Sequence, residues 1–319
     1  MTYPGINNED NSRKIKSRIS FTNKYVLDVP LTLCELSSFS DGETSVNILE
    51  SVRGEHCFII QSTCNPVNNN LMELILITDA LKRADALTIT AVIPYFGYSR
   101  QDRRARPRQP ISAKVVANML STAGVDRVLS MDLHASQIEG FFDIPIIHLN
   151  SKPVFLKNLM EIDGPKDIVF VSPDAGSMNR VATMVKGLPY HVAMIDKRRL
   201  GPNRIKSVNL IGDVSGKTAV IFDDIVDTGG TLLKSAQLLK DKGATEVIGY
   251  ITHGIFSADA KEKLLGESSP FTKLYVSNTI PYIDIASINE RLSILDVSSV
   301  FARVIKRVIA KGSISPLFE

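Results

Sequence analysis

The segment VIFDDIVDTGGTLL, residues 220–233, joins a short hydrophobic run to three aspartates and a Thr-Gly-Gly-Thr sequence. Hydrophobic residues 220–222 predict a buried strand. Residues 231–243 predict a helix that ends at a glycine. A strand that passes directly into a helix is typical of the βαβ units from which parallel sheets are built. The segment therefore predicts an α/β fold.

The polar residues of this segment indicate a site for a phosphorylated sugar. Ligands of open α/β sheets bind outside the carboxyl ends of the strands. Glycines allow backbone N–H groups to approach an anion, and a helix N-terminus adds partial positive charge. The expected phosphate-binding residues are Asp227, Thr228, Gly229, Gly230 and Thr231. We expect Asp223 and Asp224 to accept hydrogen bonds from sugar hydroxyls or to hold a divalent metal. The alternative is a helix cap at Asp227 and a solvated strand end.

Strand-like and helix-like segments alternate along the rest of the chain as well. The alternation starts afresh near residue 165, after the sequence Asn-Ser-Lys-Pro at 150–153. We expect two tandem α/β domains, residues 1–152 and 153–319, each with a mainly parallel sheet flanked by helices. The predicted strands are 56–62, 87–96, 126–134, 167–176, 190–199, 216–224 and 245–254, and the predicted helices are 70–84, 112–124 and 231–243.

Composition narrows the class of protein. The chain has 319 residues, of which 44% are hydrophobic and 22% charged, as in soluble proteins of about two domains. A formal net charge of +3 argues against nucleic acid or an anionic membrane as the main partner. The three cysteines form no CxxC motif, and the sequence contains neither a long apolar run nor a secretory signal. We therefore expect a cytoplasmic protein.

Further candidate site residues precede or follow predicted strands in the first half of the chain. FSDGE, residues 39–43, is by itself a turn signal. In VIPYFGYSRQDRR, residues 92–104, the aromatic residues suit stacking on a base, and Arg100 and Gln101 suit a polyphosphate. The alternative for this segment is a basic, solvated loop. His134 lies at the carboxyl end of the predicted strand 126–134, where a neutral imidazole suits a metal or a phosphate.

Three segments of the second half complete the set. SPDAG, residues 172–176, places Asp174 at a predicted strand end as a candidate magnesium ligand. DKRR, residues 196–199, precedes a Gly-Pro-Asn loop that could close and bring cations onto a transferring phosphoryl group. GDVSGKT, residues 212–218, is similar to a Walker loop, but it has one residue too few between its glycines and precedes a strand. We interpret it as a turn.

Taken together, these segments resemble those of the ribose-phosphate diphosphokinase family, from about residue 36 to the end. The matching segments are FSDGE (39–43), SVRG (51–54), NLMEL (70–74), AVIPYFGYSRQDRR (91–104), PISAKVVANML (110–120), MDLHASQIEGFFDIP (131–145), SPDAG (172–176), DKRR (196–199), FDDIVDTGGT (222–231) and SISPLF (313–318). Single-domain phosphoribosyltransferases share only the loop at 222–231.

The resemblance implies two type I phosphoribosyltransferase-like domains and a diphosphoryl transfer. The β,γ-diphosphoryl group of MgATP would pass to the anomeric hydroxyl of ribose 5-phosphate, giving phosphoribosyl diphosphate and AMP. By motif, the ATP-binding residues would be Phe39, Asp41, Glu43, Arg100, Gln101 and His134. Lys197, Arg199 and His134 would be catalytic. The metal ligands would be His134, Asp174, Asp223 and Asp224, and residues 223, 224 and 227–231 would bind ribose 5-phosphate.

The resemblance also implies regulation and assembly. A site for activating inorganic phosphate or inhibitory ADP would include Ser51, Arg53, Arg108, Ser313, Ser315 and Phe318. Family members usually form homohexamers built from dimers, in which Phe39, Asp41 and Glu43 would reach the adenine of a neighbouring subunit.

Some positions depart from the family pattern, and other functions stay open. Residues 1–35 lack the usual opening strand, and their first 14 residues are polar and expected to be frayed. Asn69 stands where an Asp is usual, and Ser177 borders the proposed site, where it could alter metal or phosphate contacts. The runner-up function is that of a catalytically silent, synthetase-associated subunit. Such a subunit would have altered active-site motifs, whereas those of this chain match the family pattern. A phosphoribosyltransferase would need a base-recognition hood and no first domain.

Overall fold

The chain divides into two compact units, Met1–Asn150 with Ser298–Glu319, and Ser151–Val297. The computed structural model describes residues 12–13, 27, 31–162, 167–201, 204–281 and 289–317, and for 12–13, 197–201, 204–208 and 316 it describes the backbone alone. The units differ from the predicted domain ranges in the placement of residues 298–319, which belong with the first unit.

A parallel four-stranded sheet forms the centre of the first unit, and a three-stranded antiparallel sheet lies in the same unit. The antiparallel sheet contains β1 (Ser12–Arg13), β2 (Cys34–Ser38) and β3 (Thr44–Ile48) in that order. The parallel sheet contains β4 (His56–Ile60), β5 (Thr88–Ile93), β6 (Arg127–Met131) and β7 (Ile146–Leu149), also in sequence order. The helices are α1 (Val67–Arg83) and α2 (Ser112–Ala123), and a 3-10 helix spans Ser136–Phe141.

The helices of the first unit follow from their hydrophobic periodicity. The buried residues of α2 are Ala113, Val116, Ala117 and Leu120, one face of a helix with 3.6 residues per turn. Gly124 ends α2 with a φ of 111°, a left-handed conformation that glycine adopts without strain. The predicted helix over 112–124 is therefore confirmed together with its glycine end.

The antiparallel sheet shows where the sequence prediction was incomplete. FSDGE forms the turn between β2 and β3, as predicted, with Gly42 N–H donating to the Phe39 carbonyl at 2.9 Å. The two flanking strands were not predicted. Residues 12–13 pair with β2, so the expectation of a frayed segment over 1–14 is wrong for them. Such pairing uses backbone groups and needs no apolar side chains. Residues 1–11 lie outside the described part of the chain.

The described residues of the second unit form a seven-stranded sheet in the order β10-β9-β8-β11-β12-β13-β14, and among them only β9 and β10 pair antiparallel. The strands are β8 (Ile168–Ser172), β9 (His191–Gly201), β10 (Arg204–Ile211), β11 (Thr218–Val226), β12 (Glu246–Gly254), β13 (Lys273–Ser277) and β14 (Leu292–Leu295). The helices are α3 (Lys152–Glu161), α4 (Met178–Val185), α5 (Gly230–Asp241) and α6 (Ala260–Leu265). Two α/β units with mainly parallel sheets flanked by helices confirm the predicted fold class.

Strand β11 is buried on both faces, and each face packs against different helices. Its even-numbered residues Val220 and Phe222 share a cluster with residues of α3 and α4. Its odd-numbered residues Ala219 and Ile221 share a cluster with residues of α5. Side chains alternate along the strand from 219 to 222, whereas the even-numbered Val226 near its end packs with the α5 cluster.

The last helix, α7 (Ser298–Ile309), buries Val300, Phe301, Val304 and Ile305 on one face. This apolar face explains why the segment belongs to a folded unit rather than to a solvated tail. Within the described residues, none of the helices combines the length and the apolar character that a membrane crossing requires.

Candidate active site

The carboxyl edge of the second sheet carries the acidic pair of the opening segment. Pairing of β11 with β8 ends at Ile221, whereas pairing with β12 continues to Val226. The strand begins and ends two residues later than the predicted 216–224, so Asp223 and Asp224 lie within it, beyond its last pairing with β8. The pairing with β8 thus stops before the two aspartates, as expected for a site at a strand end.

An arginine of α4 holds one member of the acidic pair. Arg180 Nη1 lies 2.6 Å from Asp224 Oδ1 and 3.6 Å from Asp223 Oδ1. The Asp224 side chain is 5% exposed and that of Asp223 is 19% exposed. The Asp224 backbone N–H also donates to Asp223 Oδ1 at 3.0 Å. The contact of Arg180 with Asp224 is a charge-assisted hydrogen bond, and its contact with Asp223 is a longer electrostatic one.

The environment of Asp223 disfavours its charged form. Burial, then the neighbouring Asp224, raise the pKa of Asp223 well above its ordinary value, and Arg180 only partly opposes them. The charge of Asp174 acts in the same direction as that of Asp224. A carboxylate in such a position is stabilised by a cation or by hydroxyl donors.

The turn after β11 places a helix N-terminus beside the acidic pair. Gly229 has a φ of 72°, and a Cβ there would lie 2.7 Å from Leu264 Cδ1. The first helical hydrogen bond of α5 runs from Leu233 N–H to the Gly229 carbonyl at 2.9 Å. The backbone N–H groups of the first helical turn, which precede Leu233 in the sequence, have no acceptor inside the helix. Together they make an anion-binding position, flanked by the exposed Thr228.

The segment after β12 fixes this turn from its other side. Ile255 N–H donates to the Val226 carbonyl at 2.8 Å, and Ser257 N–H donates to the Asp227 carbonyl at 3.0 Å. These bonds extend the pairing of β11 and β12 beyond the two strands. The turn over 227–229 is therefore held by backbone bonds and by the Leu264 contact, as a preorganised binding loop requires.

Asp174 lies at the end of β8 and contacts the start of α4. Its Oδ1 accepts the backbone N–H of Ser177 at 2.9 Å and the Ser177 hydroxyl at 3.0 Å. Ser177 thus contacts the predicted metal ligand directly, as its position in the sequence suggested. Asp174 also raises the pKa of Asp223, so the two carboxylates belong to one electrostatic site.

The DKRR segment is part of a strand. Lys197 and Arg199 lie on β9, where their backbones pair with Val208 and Ile205 of β10. The predicted strand 190–199 therefore continues to Gly201. The side chains of Lys197 and Arg199 lie outside the described part of the chain, as do residues 202–203 of the expected loop.

In the first unit, His134 follows the end of β6 and is exposed. Its loop is fixed by His148 of β7, whose Nε2 accepts the Leu133 backbone N–H at 2.9 Å. The proton of His148 is therefore on Nδ1, which donates to Glu139 Oε1 at 2.7 Å. Asp132 has a φ of 40°, so the backbone turns sharply before His134.

The predicted base-stacking role is wrong for two of the three aromatic residues near Arg100. Tyr95 is 5% exposed and Phe96 is 2% exposed, because both lie in the hydrophobic core behind the strand end. Tyr98 is partly buried, and its hydroxyl donates to Asn68 Oδ1 at 2.5 Å.

The two predicted nucleotide contacts of this segment lie at the surface, near the start of α2. Arg100 and Gln101 are exposed. Gln101 Oε1 accepts the Ser112 hydroxyl at 2.6 Å, and the Gln101 carbonyl accepts Ala113 N–H at 3.2 Å. Gln101 is therefore tied to the first turn of α2, which gives this part of the loop a defined position.

The hairpin between β2 and β3 presents an aromatic ring and two carboxylates to solvent. Phe39 is 60% exposed. Its backbone N–H donates to the Glu43 carbonyl at 2.8 Å, and Glu43 N–H donates to Asp41 Oδ1 at 3.1 Å. The turn is thus ordered by its own hydrogen bonds, whereas the Phe39 ring remains available for a ligand or a partner.

The expected regulatory residues all lie in the first unit. Arg53 Nε contacts Asp85 Oδ2 at 3.4 Å, and both side chains are largely exposed. Arg108 is exposed with a φ of 65°. Ser51, Ser313 and Ser315 are exposed, and Phe318 lies outside the described residues.

Arg180 and His148 are the site-supporting residues that the sequence analysis missed. Arg180 is the third residue of α4, six positions after Asp174, but its contact with Asp224 spans 44 positions of the chain and no local signal indicates it. No local sequence signal distinguishes His148, because its partners come from other segments of the chain.

Fold and site define a class: α/β proteins that bind an anionic, hydroxyl-bearing ligand at a strand-to-helix turn. Residues 5–124 match the family described as the N-terminal domain of ribose phosphate pyrophosphokinase, and residues 191–319 match the phosphoribosyl synthetase-associated domain. The chain belongs to the ribose-phosphate pyrophosphokinase family.

Individual relatives agree with this assignment. The chain is 48% identical to ribose-phosphate pyrophosphokinase of Nitrosomonas europaea over 293 residues, covering 92% of each. It is 47% identical to that of Caldanaerobacter subterraneus over 292 residues, again covering 92% of each. A crystal structure of phosphoribosylpyrophosphate synthetase from Mycobacterium smegmatis is similar with a TM-score of 0.83 at 38% identity, over 90% of this chain and 93% of that one.

Proposed function

We propose that the chain transfers the β,γ-diphosphoryl group of ATP to the anomeric hydroxyl of ribose 5-phosphate. The products would be phosphoribosyl diphosphate and AMP. The observation that carries this proposal is the acidic pair of β11 beside the glycine turn and N-terminus of α5. The acidic pair suits sugar hydroxyls and the N-terminus of α5 suits a phosphate, as the binding of a sugar phosphate requires.

The second unit would bind and orient ribose 5-phosphate. The N–H groups at the start of α5, with Thr228 and Thr231, would hold the 5-phosphate. Asp223 would accept hydrogen bonds from the ribose hydroxyls, because it is the more exposed of the two aspartates. Fixing both ends of the sugar would orient its anomeric hydroxyl for in-line attack on the β-phosphorus of ATP.

The donor set fits a magnesium ion. Mg²⁺ prefers oxygen ligands and is usually bound by one or two carboxylates together with substrate phosphates and water. Asp223 and Asp174 provide carboxylates in one electrostatic site, and a bound cation would offset the burial and the neighbouring negative charges that raise the pKa of Asp223. Asp224 is the other proposed ligand in the second unit, and His134 is the proposed ligand in the first unit. When bound, the ion would neutralise phosphate charge.

The remaining roles rest on the family. Arg100, Gln101 and His134 would bind ATP, and Phe39, Asp41 and Glu43 would contact the adenine of a neighbouring subunit in a homohexamer. Lys197 and Arg199 would stabilise the charge that develops on the transferred group. Inorganic phosphate would activate the enzyme through the exposed residues near Arg53, and the protein would work in the cytoplasm.

The test identifies the nucleotide product formed from ATP, Mg²⁺, inorganic phosphate and ribose 5-phosphate. AMP that appears only with the sugar, in equal amount with phosphoribosyl diphosphate, is the expected result. ADP would mean that the terminal phosphoryl group alone is transferred, and would overturn the proposal. Folded protein that binds ATP without turnover would be a catalytically silent subunit.

A further inference from the structure

The two adjacent aspartates of β11 are not equivalent. Asp224 has an even number, and the preceding even residues Val220 and Phe222 pack with α3 and α4. Asp223 follows the odd-numbered residues Ala219 and Ile221, which pack with α5. Side chains alternate along a strand, so Asp224 continues the α4 side and Asp223 the opposite side at this point of β11. The alternation does not extend to the end of the strand, because the even-numbered Val226 packs with the α5 cluster, so the contacts of each aspartate decide its role.

Arg180 of α4 contacts the pair unequally, in agreement with this division. It donates to Asp224 at 2.6 Å, whereas its distance to Asp223 is 3.6 Å. Asp224 is almost fully buried, with 5% of its side chain exposed. A buried ion pair is a weak source of stability, because desolvation offsets most of the attraction. Its more specific effect is to fix the position of a carboxylate and its backbone.

We propose that Arg180 is a positioning residue that engages Asp224 and thereby leaves Asp223 as the carboxylate directed at the sugar hydroxyls. This inference rests on the proposed function and adds to it a division of roles within the acidic pair. Arg180 acts through Asp224: it fixes the backbone at 223–224, and with it the orientation of Asp223 toward the sugar.

Kinetic constants of Arg180→Ala and Arg180→Lys test this role. Loss of the guanidinium releases Asp224, so Arg180→Ala raises the KM for ribose 5-phosphate at least tenfold and changes the KM for ATP less than twofold. Arg180→Lys restores part of the affinity, because it keeps a cation. Lys186→Ala is the matched control, since it removes an exposed positive charge from the end of the same helix. Equal rises in both KM values, or none, would overturn the proposal.

Melting temperatures of the substrate-free protein test the contact without relying on activity. Arg180→Ala leaves a buried carboxylate without its cation, so the melting temperature falls. Adding Asp224→Asn recovers much of the loss, because the unbalanced charge is gone. Adding Asp223→Asn recovers less. Recovery by Asp223→Asn alone would overturn the assigned pairing. If the wild-type protein formed no AMP, the proposed function would be overturned. The melting temperatures would still test the contact between Arg180 and Asp224.

Discussion

The segments that leave β11 and β6 both carry predicted site residues, but they are fixed by different interactions. After β6, the neutral ring of His148 accepts the Leu133 N–H at 2.9 Å. Within β11, the charged Arg180 donates to Asp224 at 2.6 Å. The segment after β6 is therefore held by a hydrogen bond to an uncharged ring, whereas the geometry of the segment in β11 depends on a balance of buried charges. Changes of charge should therefore affect the second unit more.

Among the changes that distinguish the two segments, Asp223→Asn should have the largest effect, which is on the KM for ribose 5-phosphate. It removes a negative acceptor from the proposed sugar site, and hydrogen bonds to charged groups contribute about 1.5–3 kcal/mol. We expect the KM for ribose 5-phosphate to rise by about 10- to 100-fold. Steady-state kinetics would measure this, with the exposed Asp213→Asn as a control in the same unit. Unchanged kinetics would remove Asp223 from the site.

Gly229→Ala should destabilise the second unit by about 1–3 kcal/mol, because alanine is strained at positive φ. Its Cβ would also meet Leu264 at 2.7 Å. Gly230→Ala is the matched control, since a Cβ there meets nothing within 4 Å and no positive φ is required. Urea denaturation of both variants would measure the difference. An equal loss in the two variants would mean that the turn geometry does not depend on Gly229.

His148→Ala should have a smaller effect, confined to the first unit. It removes the bond to Glu139 and the neutral hydrogen bond from Leu133 N–H that holds the loop of His134. The latter is worth about 0.5–1.5 kcal/mol, so we expect the KM for ATP to rise by about 2- to 12-fold. The KM for ribose 5-phosphate should stay constant. His148→Gln keeps an acceptor and should recover part of the loss. A change in both KM values would show that the two segments are coupled.

The pH dependence of stability should show the smallest effect and should again separate the segments. Burial and Asp224 raise the pKa of Asp223 in the folded protein, so folding favours its protonated form. Its contribution is therefore favourable at low pH and is lost as the pH rises through the raised pKa. Without Mg²⁺, Asp223→Asn should raise the melting temperature at pH 8 and change it little near pH 4. A lower melting temperature at pH 8 would contradict this charge balance.

The sequence predicts the fold best where hydrophobic patterns are long and ends are marked. The helix α2 and the strand-to-helix turn at Gly229 follow from local signals, and both are confirmed. The strands β2 and β3 were missed because short, partly buried strands on polar sequence give no clear pattern. The end of β11 was placed too early, since charged residues at 223–224 conceal the continued pairing with β12.

The candidate site could be predicted only in part, for a related reason. The aspartates and glycines lie close together in the sequence, so their neighbourhood is local information. Arg180 contacts Asp224 across 44 positions of the chain, and no local pattern indicates such a contact. Tyr95 and Phe96 show the opposite error, because a position at a strand end does not tell whether a ring faces the core or the ligand.

The placement of residues 298–319 has a consequence for biosynthesis. The second unit is inserted into the first, whose α-helix α7 follows the second unit in the sequence. During translation the second unit is complete while the first still lacks α7, and domains generally fold as their sequence becomes available. The first unit therefore waits for the synthesis of residues 298–319, with the surface that α7 covers exposed until then. A prematurely ended chain would contain one finished unit and one unfinished unit, and would be a natural target for chaperones and proteases.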